Sequence, residues 1–229
     1  MSRVVEKALE ALPADAHVLI VDDDSPDGTG AIATELAKRD ARVEVLSRQV
    51  RQGLGPAYLA GFQRALDAGA EVVCQMDADL SHDPAALPDL LRAISAADLV
   101  IGSRYVTGGA IEDWGFLRRI VSRGGSIYAR LLLRLPVHDS TGGFKALRKP
   151  LVEELTQATI AAQGYVFQIE TTYRAAKAGF RIAEVPITFR DRRLGESKMT
   201  LGIALEAAWR VPSLRWRLRR RRGKSATER

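Results

Sequence analysis

Residues 72–84 read VVCQMDADLSHDP, and this stretch decides the fold. Val72, Val73, Cys74 and Met76 form a short apolar run broken only by Gln75, ahead of a polar turn and Pro84. A run of that length before a turn reads as a buried strand. Asp77 and Asp79 then stand where the strand ends, which is where open α/β sheets bind ligands. Two carboxylates this close repel, and a divalent cation shared with an anionic ligand relieves them. The same D-x-D spacing also occurs in ordinary solvated loops, so the surrounding pattern has to choose.

Outward from this strand the chain alternates. Val4–Leu12 has helical spacing, His17–Val21 reads as a strand, Gly30–Arg39 as a helix and Val43–Leu46 as a strand. A helix opens at Gly53-Leu54-Gly55-Pro56, and beyond the D-x-D come a helix over Pro84–Ile94 and a strand at Leu99–Ile101. Strands alternating with helices predict an α/β fold, a mixed and mostly parallel sheet flanked by helices. Phe116–Leu135 departs from the pattern. It is a basic amphipathic stretch carrying Arg118, Arg119, Arg123, Arg130 and Arg134, and it is broken by Gly124-Gly125. A strand at Gly143–Leu147, a helix at Val166–Ala178, a strand at Ile182–Phe189 and a helix from about Lys198 to Trp209 complete the reading.

Composition restricts the function classes. With 229 residues, 46% apolar and 27% charged, the chain suits one domain and a tail. Residues 211–229 hold eight Lys and Arg against one Glu, a net +7, so the rest of this +6 chain sums to −1. A basic tail meets anionic lipid, nucleic acid or solvent. The single cysteine, Cys74, lies inside a strand and reads as a small buried hydrophobe. No run approaches the length of a membrane span, and the N-terminus lacks the apolar core of a signal peptide.

Six boxes in order carry a resemblance: VDDDSPDGT (21–29), MDADLSHDP (76–84), GSRY (102–105), STGGFK (140–145), GYVFQIE (164–170) and FRDRRLGESKM (189–199). Together they resemble the dolichol-phosphate or polyprenol-phosphate mannosyltransferases, inverting glycosyltransferases of GT-A fold, over roughly residues 4 to 200. The resemblance implies a GT-A domain over 1–200, with an amphipathic helix and basic tail over 201–229. It implies a sheet whose first strand, ending in a Pro-x-Tyr-x-Glu box, has no counterpart here, because this chain begins with a helix.

The resemblance also distributes roles. Val21 and Asp23 contact the nucleotide, as do Asp77 and Ala78. Asp79 is the direct metal ligand, for Mg2+ or Mn2+, with Asp77 and Ser81 contributing. Arg104, Arg192 and Lys198 meet the nucleotide sugar, while Arg118 and Ser122 meet the phosphate of the lipid acceptor. From residue chemistry alone, Asp27 reads as a helix-capping residue and His82 as an exposed turn histidine.

The activity so implied is transfer of mannose from GDP-mannose to a polyprenyl phosphate, giving a β-linked product. A phosphate oxygen is already anionic near neutral pH, which accounts for the absence of an evident general base; Asp79, Arg104 and Arg192 would supply charge stabilisation. Glucosyl transfer to the same acceptor is the rival reading. A nucleic-acid-binding protein is a remote one, since no binding module or aromatic interleaving accompanies the basic tail. The arginines among apolar residues at 116–135, and Trp216 in the tail, suggest a peripheral enzyme on the cytoplasmic face of a membrane, alone or with a separate membrane-protein partner.

Overall fold

The computed structural model describes residues 1–49, 51–160, 164–191 and 210–216. Helix α1 (Ser2–Ala11) buries Val4, Val5 and Ala8, one face of a helix at the spacing expected of an amphipathic segment. It is followed by β1 (Val18–Asp22), α2 (Thr29–Arg39), β2 (Val43–Ser47), α3 (Leu54–Asp67) and β3 (Val72–Gln75). The cap of α2 is Gly28 and not Asp27, whose carboxylate stands one residue earlier and accepts from the Thr29 N–H at 3.1 Å, an Asx turn leading into the helix. A 3-10 turn at Pro84–Ala86 leads into α4 (Leu87–Ala93), with Asp83 accepting from the Ala85 N–H. Then come β4 (Leu99–Ser103), β5 (Ala110–Ile111), α5 (Phe116–Leu133) and β6 (Lys145–Arg148), followed by α6 (Lys149–Gln157) and α7 (Gly164–Ala178). The last strands are β7 (Ile182–Pro186) and β8 (Thr188–Phe189).

The strands form three sheets rather than one. β1 pairs with β2, both parallel; β3, β6, β4 and β7 lie in that order; β5 pairs with β8. Within the four-stranded sheet β6 runs antiparallel to both β3 and β4, while β4 and β7 are parallel. Among the described residues no strand joins β1 to β3, so the sheet has a gap beside the D-x-D strand. Helix α3 packs on both sides of that gap, contacting β1 and β3. Gly61 allows the approach to β1, because a Cβ there would meet Val21 Cγ2 at 3.0 Å.

Strand β4 is wholly buried and divides the core. Leu99 and Ile101 face a layer containing Phe62, Leu151, Leu155, Phe167 and Tyr173. Val100 faces the opposite layer of Ala8, Leu87, Leu90, Phe144 and Ile187, as strand alternation requires. Residues 210–216 are helical and place Val211 and Leu214 in the first layer. Among the described residues no helix is long and apolar enough to cross a membrane.

Candidate active site

The strand ends gather the acidic residues as the sequence predicts. After β3 the chain turns sharply: Leu80 stands at φ 66°, a left-handed conformation that is costly for a side chain of this kind. Within the turn Asp79 Oδ1 accepts from both the backbone N–H (3.0 Å) and the hydroxyl of Ser81. Asp77 Oδ1 accepts from the Tyr58 hydroxyl on α3 at 3.2 Å. Burial and the Asp77 charge push the Tyr58 phenol well up, so it remains a donor. Ala78 between them is exposed.

His82 corrects the sequence reading, which placed it on the surface. It is 2% exposed, enclosed by the rings of Phe144 and Phe189, each centred 5.2 Å away. Its Nδ1 accepts from the Asp77 backbone N–H at 3.2 Å. Burial lowers its pKa and outweighs the opposing pull of Asp77, so the ring is held neutral and keeps the acceptor nitrogen that orients the turn. The physical reason lies in β8, which pairs across the turn at His82–Phe189 and covers it.

At the end of β1, Asp23 is tied to its surroundings. One oxygen pairs with Arg48 at 2.7 Å and the other accepts from the backbone N–H groups of Gln52 and Gly53. An ionised carboxylate has about four acceptor positions, so one more bond from a ligand can be accommodated. Val21, at half burial, packs beneath on α3.

At the end of β4, Arg104 is 7% exposed and clamped. Its Nε and Nη2 donate to the two oxygens of Asp139, each at 2.7 Å, and Nη2 also donates to Thr141. Burial alone would raise the Asp139 pKa, but the Arg104 charge and hydrogen bonds outweigh it and hold the carboxyl below its ordinary value. Burial pulls Arg104 down and Asp139 more than restores it, so both groups are charged. The clamp fixes the loop 139–143 against the D-x-D turn: a Cβ on Gly143 would lie 3.8 Å from Asp77 Oδ1.

Under the turn runs a polar network that the sequence did not reveal. Gln75 Nε2 donates to the Gly143 carbonyl and to Gln168 Oε1 on α7, both at 2.8 Å. Lys145, fully buried in β6, donates to the Gln168 carbonyl and to the Thr171 and Thr172 hydroxyls. Burial lowers its pKa to about 7. Gln75, just before the MDADLSHDP box, thus meets the STGGFK and GYVFQIE boxes at one place.

The basic helix α5 brings Arg118 and Ser122 to the same end of the sheet. Arg118 Nη1 donates to Asp191 at 2.7 Å, and its guanidinium lies 4.0 Å over the Trp114 ring. Ser122 is buried and its oxygen accepts from the Tyr105 hydroxyl at 2.7 Å. Arg192 and Lys198 lie outside the described residues. The chain approaches that stretch beside the D-x-D turn, where the Arg190 N–H donates to the Ser81 carbonyl at 3.1 Å.

A sheet with helices on its faces, an acidic turn at the end of β3 and an arginine at the end of β4 is the arrangement of a GT-A glycosyltransferase. The comparisons agree. Residues 1–156 match the model of Glycosyl transferase family 2, and the chain belongs to that family. It is 46% identical over 224 residues to the polyprenol monophosphomannose synthase of Mycolicibacterium smegmatis, covering 96% of this chain and 84% of the relative. It is 48% identical over 209 residues to the undecaprenyl-phosphate mannosyltransferase of Micrococcus luteus, covering 91% and 85%. Among solved structures, glucosyl-3-phosphoglycerate synthase from Mycobacterium tuberculosis superposes with a TM-score of 0.63 at 18% identity, over 93% of this chain and 75% of that one. The same enzyme with Mn2+, UDP-glucose and phosphoglyceric acid gives 0.58 over 84% and 68%.

Proposed function

We propose that this chain transfers mannose from GDP-mannose to a polyprenyl phosphate, releasing GDP and inverting the anomeric centre. The observation that carries the reading is the Asp77–Asp79 turn at the end of β3, in a chain nearly half identical to enzymes named for mannose and polyprenyl phosphate.

The donor set suits a hard divalent cation. Two carboxylates and the Ser81 hydroxyl are oxygen ligands, and among the described residues no third His, Cys, Asp or Glu joins them. Mg2+ characteristically takes one or two carboxylates and completes its shell with substrate phosphates and water. Asp77, Asp79 and Ser81 would hold Mg2+ or Mn2+, which supplies neutralisation of the leaving diphosphate. The structural neighbour with Mn2+ and UDP-glucose supports this class of cofactor.

The remaining work belongs to side chains. Asp23 offers its open acceptor position to a guanine N–H, with Val21 beneath the base. Arg104, its Nε and Nη2 spent on Asp139 and Thr141, keeps Nη1 for the sugar diphosphate and a geometry fixed in advance. The family resemblance gives Arg192 and Lys198 the same task of adding charge. Arg118 and Ser122 place the acceptor phosphate, whose oxygen attacks directly, without a protein base.

The acceptor's lipid tail puts the enzyme on a membrane surface. Helix α5 exposes Phe116 (80%), Leu117 (70%) and Leu131 (72%), together with Ile120 and Ile127. The face opposite, Ser122, Ser126, Ala129 and Leu133, is buried. Arg119, Arg123 and Arg130 flank the apolar stripe, a pattern that suits anionic headgroups on the cytoplasmic side. Trp216, 58% exposed, belongs to the same reading.

The experiment is transfer of labelled mannose from GDP-mannose to a polyprenyl phosphate in lipid, with GDP-glucose and UDP-glucose in parallel. Asp79→Ala lowers the rate by about 10²–10³-fold or more, the usual effect of losing one preorganised charge-stabilising group. A mutant as active as the parent, with metal present, overturns the assignment of the turn.

A further inference from the structure

Beside the candidate acceptor position, two buried N–H groups have no hydrogen-bond partner among the described residues: Nε1 of Trp114 and Nε of Arg118. They belong to one stack, since the Arg118 guanidinium lies 4.0 Å over the Trp114 ring. Trp114 is only 6% exposed, and Phe189 holds its ring edge-on at 5.3 Å. An indole N–H so enclosed loses its bonds to water and receives nothing from the described residues in return. Orphan donors of this kind are uncommon in native structures and call for an explanation.

The neighbouring polar groups do not supply one. Asp191 takes Nη1 of Arg118, which leaves the Nε edge of the guanidinium unspent. The Tyr105 hydroxyl is given to Ser122. Arg104 lies 5.7 Å from the Trp114 ring, but its Nε and Nη2 are committed to Asp139 and Thr141. What the pair lacks is an acceptor with several oxygens and negative charge, able to take two N–H bonds from one stack. A phosphate has that chemistry.

We propose that the Trp114 Nε1–H and the Arg118 Nε–H donate together to the phosphate of the lipid acceptor. This rests on the acceptor reading above and adds to it a binding residue, Trp114, that lies outside every motif singled out in the sequence. The indole selects by geometry: it is a fixed neutral donor that the acceptor phosphate meets and a free polyprenol does not.

The test uses the full chain with 15N-labelled tryptophan, the Trp114 indole resonance being identified by its loss in Trp114→Phe. Farnesyl phosphate shifts that resonance downfield in a saturable way, and farnesol does not. Trp114→Phe keeps an aromatic ring under Arg118 and removes the donor together with part of the indole's area. It raises the KM for farnesyl phosphate about tenfold, the scale of one hydrogen bond to a charged group, with kcat and the GDP-mannose KM within about twofold. A resonance that moves with GDP alone, moves equally with inorganic phosphate, or stays still in every titration overturns the proposal, as does an unchanged acceptor KM. Absence of mannose transfer by the parent chain would instead refute the proposed function, while the indole titration would still read phosphate binding.

Discussion

Strands β1 and β4 are almost equally apolar, VLIVD and LVIGS, yet they lie in different surroundings. β4 runs between β6 and β7 and is buried at all five positions. β1 has β2 on one side and, among the described residues, nothing on the other; its four apolar residues are half-buried. Burial is therefore conferred by neighbours and not by the strand's own composition. The same contrast divides the site. Arg104 and Asp139, at the β4 end, are almost sealed, with side chains 6% and 0% exposed, whereas Arg48 and Asp23, at the β1 end, stand at 13% and 21%.

Breaking each pair measures that contrast most strongly. Asp139→Ala leaves Arg104 charged and buried and costs about 3–5 kcal/mol, whereas Asp23→Ala costs about 1 kcal/mol; urea denaturation compares them. Equal losses would show that the two halves are equally sealed. Core truncation gives the next largest difference. Ile101→Ala costs about 2–5 kcal/mol, and Ile20→Ala, removing a side chain already half in water, costs roughly half as much.

A smaller effect reads the four-stranded sheet alone. Lys145 loses its proton near pH 7 in the folded chain, because burial disfavours the charge, against an ordinary value of 10.5. Between these values the unfolded chain binds a proton that the folded chain does not, so stability rises with pH. Thermal melts from pH 7 to 9 show this rise in the parent and a flatter profile in Lys145→Met. Above that range Cys74, whose thiol burial pushes up to about 12, acts in the opposite sense. The smallest effect lies outside both sheets. Leu131→Ser on the exposed stripe of α5 changes stability by no more than about 0.5 kcal/mol, while vesicle flotation detects weaker binding to anionic liposomes.

Much of this was legible in the sequence. The D-x-D turn and the α/β alternation follow from local pattern, and the structure places both where the residues predict. What local pattern could not give was partnership across distance. Asp139 lies 35 residues from Arg104, and only the fold brings it to the guanidinium. His82 reads as a turn residue until β8 covers it. The expected mixed sheet did not say which strand is reversed: it is β6, which follows α5 and a long loop and enters between β3 and β4. Helix α6 went unread although Pro150 at its start, with Leu151, Val152 and Leu155 buried behind it, is a recognisable helix opening. The run at 182–189 read as one strand and is two, the break falling after Pro186, which cannot donate to a ladder.

The divided sheet has a practical consequence for anyone purifying the protein. Strands β1 and β3 each present, among the described residues, an edge of backbone N–H and C=O groups with no ladder partner, bordered by half-buried valine, leucine and isoleucine. Such an edge is a template onto which another polypeptide adds. Self-association should therefore rise with concentration, and light scattering on a dilution series would report it before any assay of turnover.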